Sequence, residues 1–165
     1  MSARVEIRPY EEGDLEAIVE LSLRAWEPVF ASLRQVLGDS IFVRLHRPDW
    51  RAIQAKTVRS SCTGDERDVF VAVVGGGPVG FAAVAVDAVH EGMGVVDIIA
   101  VDPAYQRRGI ATQLMKRAAE HMCAQGMDIA AVETGGDAGH GPARALYESI
   151  GYTALPVVRY LRLLE

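Results

Sequence analysis

Thiols are scarce in this sequence and a surplus of positive charge is missing. Cys62 and Cys123 are its two cysteines, with no Cys-x-x-Cys and no nearby pair of histidine ligands, so neither a disulfide framework nor a zinc site is indicated. Both thiols read as reduced, in a cytoplasmic setting. Lysine and arginine number 17 against 22 aspartates and glutamates, a net charge of −5. That balance lacks the field needed to offset nucleic-acid phosphates and leaves a cationic or amine small molecule as a permitted partner. Residues 1–6 alternate charged and apolar side chains with no apolar core of a signal peptide. The uncharged run from Val69 to Val86 is long enough to raise the question of a membrane span, but Gly75-Gly76-Gly77-Pro78 interrupts it midway. Two buried strands joined by a turn account for it, and no membrane partner is expected.

What is present is a globular composition. With 165 residues, 50% hydrophobic and 24% charged, the chain fits one domain with a packed core, and disorder, collagen-like repeats and coiled coil are excluded. Val5 and Ile7 alternate with Glu6 and Arg8 before Pro9, which predicts a short opening strand. From Glu11, the residues Leu15, Ile18, Val19, Leu21 and Ala25 recur at helical spacing, with Glu11, Glu12, Asp14 and Glu16 favouring the N-terminal end of the dipole. Pro28 is expected to end or kink that helix. Val29 to Thr63 predicts one or two helices with a mobile connection, broken at Pro48.

A β-rich block follows: Val69–Val74, Val79–Ala88 and Met93–Val101 predict three antiparallel strands. After Gly109 the period changes, and Ile110, Ala111, Leu114, Met115, Ala118, Ala119, Met122 and Cys123 form a helical stripe that stops at Gly126. Ile129–Glu133 returns to strand, Ala143–Ile150 is a short helix closed by Gly151, and Tyr152–Leu164 is expected to finish as strand. The strand–helix–strand unit from Val95 to Glu133 needs a right-handed crossover, which makes its two strands parallel neighbours.

The run from Asp97 to Ala111 carries the most chemistry. A buried strand ends at Pro103, and a short loop with Gln106, Arg107 and Arg108 enters the strongest helix through Gly109. Unsatisfied N–H groups at a helix start, the dipole, and small residues that let an anion approach the backbone together describe a phosphate site. It is neither a P-loop, since no Gly-Lys-Ser/Thr follows, nor a dinucleotide fingerprint, since Gly-x-Gly-x-x-Gly is missing. On spacing alone a plain strand–loop–helix corner fits as well.

A second landmark separates the two. Gln106-Arg107-Arg108-Gly109-Ile110-Ala111, preceded by Val101-Asp102-Pro103, resembles the pyrophosphate loop of the GNAT superfamily of acyl-CoA-dependent N-acetyltransferases. Ala143 to Tyr152, with Leu146-Tyr147-Glu148 ahead of Gly151-Tyr152, resembles that family's second signature, in the right order and separation. The resemblance implies a single domain over residues 1–165: a mixed α/β fold, mostly antiparallel, of six to seven strands with a splayed parallel pair, flanked by helices. It implies acetyl-CoA (coenzyme A) as cosubstrate, a primary amine as acceptor, and direct attack without a covalent enzyme intermediate. No metal is implied.

The resemblance also assigns residues. Pantetheine would lie along Ile99, Ala100 and Val101, and the pyrophosphate on Gln106, Arg107, Arg108, Gly109, Ile110, Ala111 and Thr112, with His140, Arg144 and Tyr147 as further cofactor contacts. Amine acetylation needs a base for the ammonium proton, donors for the developing oxyanion and an acid for the thiolate. Backbone N–H groups of Ile99 to Val101 are the donors on offer. Tyr147 is the candidate acid, since a phenol donates without prior charge and its ordinary pKa of about 10 lies near that of an alkyl thiol; it also falls on the apolar stripe of Ala143, Leu146 and Ile150, as a core tyrosine would. Glu133, at the C-terminal end of its strand, and Asp97, the one charge in Val95–Val101, are the candidate bases. His140 stands where the family usually has Asn, and either contacts pantetheine or serves as base or acid.

Trp26, Phe30, Phe42, His46 and Trp50 read either as ordinary core or as an aromatic-lined acceptor mouth. A non-catalytic acyl-CoA-binding or sensor domain of the same fold is the alternative function. The apolar end Val157–Leu164 suggests a homodimer through a shared edge.

Overall fold

In the computed structural model, which describes residues 4–164, the alternating opening forms strand β1 (Glu6–Pro9) and the glycine-punctuated apolar block forms β2 (Asp68–Val74), β3 (Gly77–Val86) and β4 (Met93–Val101). The strands β1 to β4 are antiparallel neighbours, and β5 (Ile129–Val132) closes the five-stranded sheet parallel to β4, in the order β1-β2-β3-β4-β5. Helix α3 (Ile110–Ala124) makes the crossover, burying Ile110, Leu114, Met115, Ala118 and Met122 against β2, β3 and β4. Phe70, Ala72 and Ala82 are buried on the α3 face of the sheet, and Val71, Phe81 and Ala83, which alternate with them, are buried on the opposite face. Among the described residues no helix is long and apolar enough to cross a membrane.

Helices α1 (Leu15–Leu45) and α2 (Trp50–Thr63) fill the segment between β1 and β2, joined by residues 46–49, and α4 (Gly141–Ser149) follows the glycine-rich loop. The described residues group into two compact units. One takes the chain up to Ala25 and Gln54–Glu133; the other takes Trp26–Ile53 and the chain from Thr134.

Two expectations are corrected. The helix does not end at Pro28, which lies within α1; the non-helical values inside α1 fall at Gly38, with φ of 73° and ψ of 159°. Proline removes one N–H donor but a long helix carries on around it, whereas glycine reaches positive φ without the Cβ clash that holds other residues in the helix. The final strand expected over Tyr152–Leu164 does not form, so the sheet has five strands rather than six to seven. A strand exists by its ladder, and residues 153–164 make no backbone hydrogen bond to another described residue. Leu155, Val157, Val158, Tyr160 and Leu164 stand exposed, and Pro156 lacks the N–H that a ladder would use.

The start of the first helical segment is anchored by a bidentate pair. Arg8 Nη1 and Nη2 donate to the two oxygens of Asp14 at 2.7 and 2.8 Å, and the Glu11 amide donates to Asp14 Oδ2 at 2.9 Å. The hydrogen bonds from Arg8 outweigh the cost of burial and hold the Asp14 carboxyl below its ordinary range. A depressed pKa contributes stability above the unfolded value of about 3.9 and loses it as pH falls through the folded value. Asp14→Asn therefore lowers unfolding free energy by about 2 kcal/mol at neutral pH, and the gap to wild type closes below about pH 4 in urea melts.

Candidate active site

In the first unit the parallel pairing of β4 and β5 is short. Met93–Val96 pair with Ile129–Val132, and from Asp97 onward β4 runs without a β5 partner. On its other side β4 contains a bulge: Val96 pairs with Val84 and Ile98 with Ala83, which leaves Asp97 as the extra residue. A bulge bends the strand and increases its twist, and this one follows directly on the last residue of β4 that pairs with β5. Beyond it the backbone of Ile99, Ala100 and Val101 keeps its ladder to β3 and exposes an unpaired edge where β5 has ended.

The loop after β4 is tightly held. The Asp102 amide donates to Val79 O at 2.8 Å, and its carboxylate accepts from Ala104 N at 2.9 Å and from Arg24 Nη2 at 2.5 Å. Gln106 Nε2 donates to Val101 O at 3.0 Å, tying the loop to the strand end. Arg108 Nη2 donates to Ala104 O at 3.0 Å, with its guanidinium 5.2 Å from the Tyr105 ring centroid. Arg107 has φ of 58°, the one non-glycine residue with positive φ among those described, and Gly109 follows with φ of 75°. A left-handed conformation costs a residue with a Cβ about 1–2 kcal/mol, so the loop stores strain where it turns into the helix. Gly109 is the N-cap of α3 and offers no side chain, so nothing from the cap satisfies the amides of Ile110, Ala111 and Thr112. A Cβ placed on Gly109 would meet no atom within 4 Å. The result is an open cradle of donors at the positive end of a 15-residue helix.

The two candidate carboxylates of this unit differ. Asp97 accepts from Arg67 Nε at 2.6 Å, whereas Glu133 stands exposed immediately after β5.

The second unit contains a hydrogen-bonded cluster at the start of α4. Asp137 lies in the glycine-rich loop with its side chain 7% exposed. Its Oδ1 accepts from His140 Nδ1, and its Oδ2 accepts from Ser32 Oγ at 2.5 Å and from the Gly139 amide at 3.1 Å. Burial pushes the Asp137 carboxyl up, but the hydrogen bonds from Ser32 and His140 prevail and hold it below its ordinary range. Arg144 Nη1 donates to Gly135 O at 2.5 Å and to Asp137 O at 2.7 Å, clamping the same loop. The guanidinium expected to contact a cofactor is thus engaged by the protein's own backbone.

Tyr147 is buried on α4, with its ring centroid 6.1 Å from that of Tyr152. Burial, and then Tyr152, push its hydroxyl up to about 12. No described residue hydrogen-bonds that hydroxyl. The aromatics divide between the two expected readings: Phe30 and Phe42 are buried, whereas Trp26, His46 and Trp50 are partly exposed. Phe30 stacks on Trp50 at 4.4 Å and meets His46 edge-on at 5.3 Å, and the Arg51 guanidinium lies 4.3 Å from the Trp50 centroid.

The sequence reading named His140 as a candidate and did not name Asp137 and Ser32, which the structure joins to it in one hydrogen-bonded cluster. Asp137 had a local signal, an acidic residue three positions before a histidine in a glycine-rich loop. Ser32, 105 residues away on α1, had none.

Comparison with known proteins fits this geometry. The model of the acetyltransferase (GNAT) domain matches residues 65–154. A curated relative, the uncharacterised N-acetyltransferase YafP of Escherichia coli K12, is 26% identical over 112 residues, covering 68% of this chain and 63% of that protein, so the match spans less than two thirds of its length. Among solved structures, a GNAT-family protein of Desulfovibrio desulfuricans shares the fold with a TM-score of 0.72 at 18% identity, covering 94% of this chain and 89% of that one. The ribosomal-protein-S18-alanine N-acetyltransferase of Escherichia coli aligns with a TM-score of 0.66 at 25% identity, covering 93% and 80%. With over half of its length matched by the family model, and with the splayed β4–β5 pair and the loop into α3 in place, the chain belongs to the GNAT acetyltransferase family.

Proposed function

We propose that this protein is an acetyl-CoA-dependent N-acetyltransferase that acts on a primary amine, of a small molecule or a peptide, by direct transfer in a ternary complex. The observation that carries the reading is the unpaired edge of β4 beyond Val96, which leads through Arg107 and Gly109, both at positive φ, to the uncapped start of α3. The residues fit the ligand. The open edge of Ile99, Ala100 and Val101 suits the amide groups of pantetheine, and the amides of Ile110, Ala111 and Thr112, with Arg107 and Arg108 beside them, suit a pyrophosphate.

Acetyl-CoA supplies an activated thioester carbonyl. Backbone N–H groups from Ile99 to Val101 donate to its oxygen as charge develops there. Tyr147 gives a proton to the departing sulfur. The ammonium proton must go to a base, and Asp97 is the weakest of the three candidates because Arg67 already occupies its carboxylate. Trp26, His46 and Trp50 supply the acceptor wall, with the Trp50 ring already stacked on Phe30 and carrying the Arg51 guanidinium.

We further propose that the whole chain works as one domain in the cytoplasm, and that a second copy is its partner through the apolar end Val157–Leu164. Supporting the first proposal, the family match runs from residue 65 in one unit to residue 154 in the other.

Calorimetric titration with acetyl-CoA, beside ATP and NAD, tests the core of this reading. Saturable micromolar binding of acetyl-CoA alone is expected, followed by turnover of at least one member of an amine panel: a polyamine, an aminoglycoside, an amino acid and an alanine-terminated peptide. Binding without turnover of any amine would favour the acyl-CoA-binding alternative. No binding would reject both.

A further inference from the structure

We propose that Asp137 is a positioning residue that fixes His140 as the acceptor of the amine's proton, with Ser32 holding the carboxylate in place. This deepens the acetyl-transfer reading and rests on it.

The argument begins with the carboxylate. Asp137 is nearly enclosed, and three donors converge on it: His140 Nδ1 on Oδ1, and Ser32 Oγ and the Gly139 amide on Oδ2. An ionised carboxylate only accepts hydrogen bonds, so Nδ1 must carry the proton. The imidazole lone pair is then confined to Nε2. Nε2 has no hydrogen-bond partner among the described residues, and the His140 side chain remains 16% exposed. One ring nitrogen is locked while the other stays available, which is the arrangement a proton acceptor requires.

The order of contacts excludes another reading. Ser32 touches Asp137 and not the imidazole, so it is no activated nucleophile. Its hydroxyl, and the Gly139 amide that also donates to Ser32 Oγ at 2.9 Å, fix the carboxylate from behind. The charged groups at this cluster are Asp137 and Arg144, and Arg144 directs Nη1 at the carbonyls of Gly135 and Asp137. From α1 the contact is the neutral Ser32. The cluster also sits where it is useful: His140 is the N-cap of α4 and Tyr147 follows it by seven residues, two turns along the same face.

In the step itself, Nε2 takes one proton from the ammonium, and Asp137 stabilises the resulting imidazolium. The freed nitrogen pair forms the C–N bond as the C–S bond breaks. The sulfur leaves with the C–S pair and takes a proton from Tyr147, the second proton of the nitrogen returns to the Tyr147 oxygen through solvent, and His140 gives its proton to solvent, so one proton is released overall.

The test uses the full chain and two readouts. Side-chain ¹⁵N NMR of His140 reports the tautomer without any amine, and the pH profile of kcat/KM reports its role, with the panel amine turned over fastest as acceptor. In wild type, His140 is expected in the form protonated at Nδ1. Asp137→Asn should lose that preference, reduce kcat/KM about 10- to 100-fold, and move the acid limb to lower pH, because the anion favouring the imidazolium is gone. Ser32→Ala, which removes one of the groups that fix the carboxylate, should weaken the tautomer preference and reduce kcat/KM by less than Asp137→Asn, and it serves if Asp137→Asn does not fold. A fixed tautomer with an unmoved limb in folded variants overturns the positioning role, as does a limb moved by Glu133→Gln instead. Absence of acetyl-CoA binding by wild type overturns the underlying reading and this proposal with it.

Discussion

Gly109→Trp is expected to abolish measurable acetyl-CoA binding, with affinity falling at least ~100-fold, while the protein still melts cooperatively. Gly109 is the N-cap of α3 at φ of 75°, and a side chain there would project where the protein places no atom within 4 Å. An indole at that point covers the amides of Ile110, Ala111 and Thr112, the donors assigned to the pyrophosphate, and leaves the core of α3 untouched. Two effects must be separated, because any residue with a Cβ at this φ also pays a left-handed penalty of about 1–2 kcal/mol. Gly109→Ala carries that strain without the bulk. It should lower the melting temperature about as much as the tryptophan variant and weaken acetyl-CoA binding by no more than roughly tenfold. Equal affinity in wild type and Gly109→Trp, read by calorimetry, would remove the loop from cofactor recognition.

The corner that this variant probes was legible in the sequence because its signals are local. Positive φ at Gly109, the switch to a helical apolar stripe at Ile110, and the stop at Gly126 with φ of 82° each need only a few neighbouring residues. The parallel pairing of β4 with β5 was also within reach, since a right-handed crossover through α3 leaves little choice. The bulge at Asp97, by contrast, depends on the register of β4 against β3, and register is a property of two strands. Val157 to Leu164 shows the converse failure: β-forming side chains raise a strand expectation, but no described residue supplies the ladder. Ser32 illustrates the limit most plainly. Nothing near it in the chain distinguishes it from other helix-surface serines, and its meaning comes from Asp137, brought to it by the fold.

Tyr147→Phe is expected to lower kcat by about 100-fold or more while leaving acetyl-CoA affinity within about twofold of wild type. The phenol ring is buried and its hydroxyl has no hydrogen bond to a described residue, so its removal leaves an apolar ring in an apolar place. Stability should change by less than about 1 kcal/mol. The same burial that hides the ring pushes its hydroxyl up to about 12, above the value near 10 that made it look matched to a thiol. The group therefore keeps its proton through the working range, and ionisation of Tyr147 should produce no alkaline limb below about pH 11. Donation to a departing thiolate does not become hopeless on that account, because a thiolate formed in the same poorly solvated surroundings is made more basic by the same loss of water. The loss in Tyr147→Phe should accordingly be uniform across pH, a lowered plateau with neither limb displaced. That pattern separates the phenol from His140, whose positioning through Asp137 predicts a displaced acid limb. A plateau equal to wild type would return Tyr147 to the core and leave solvent to protonate the sulfur.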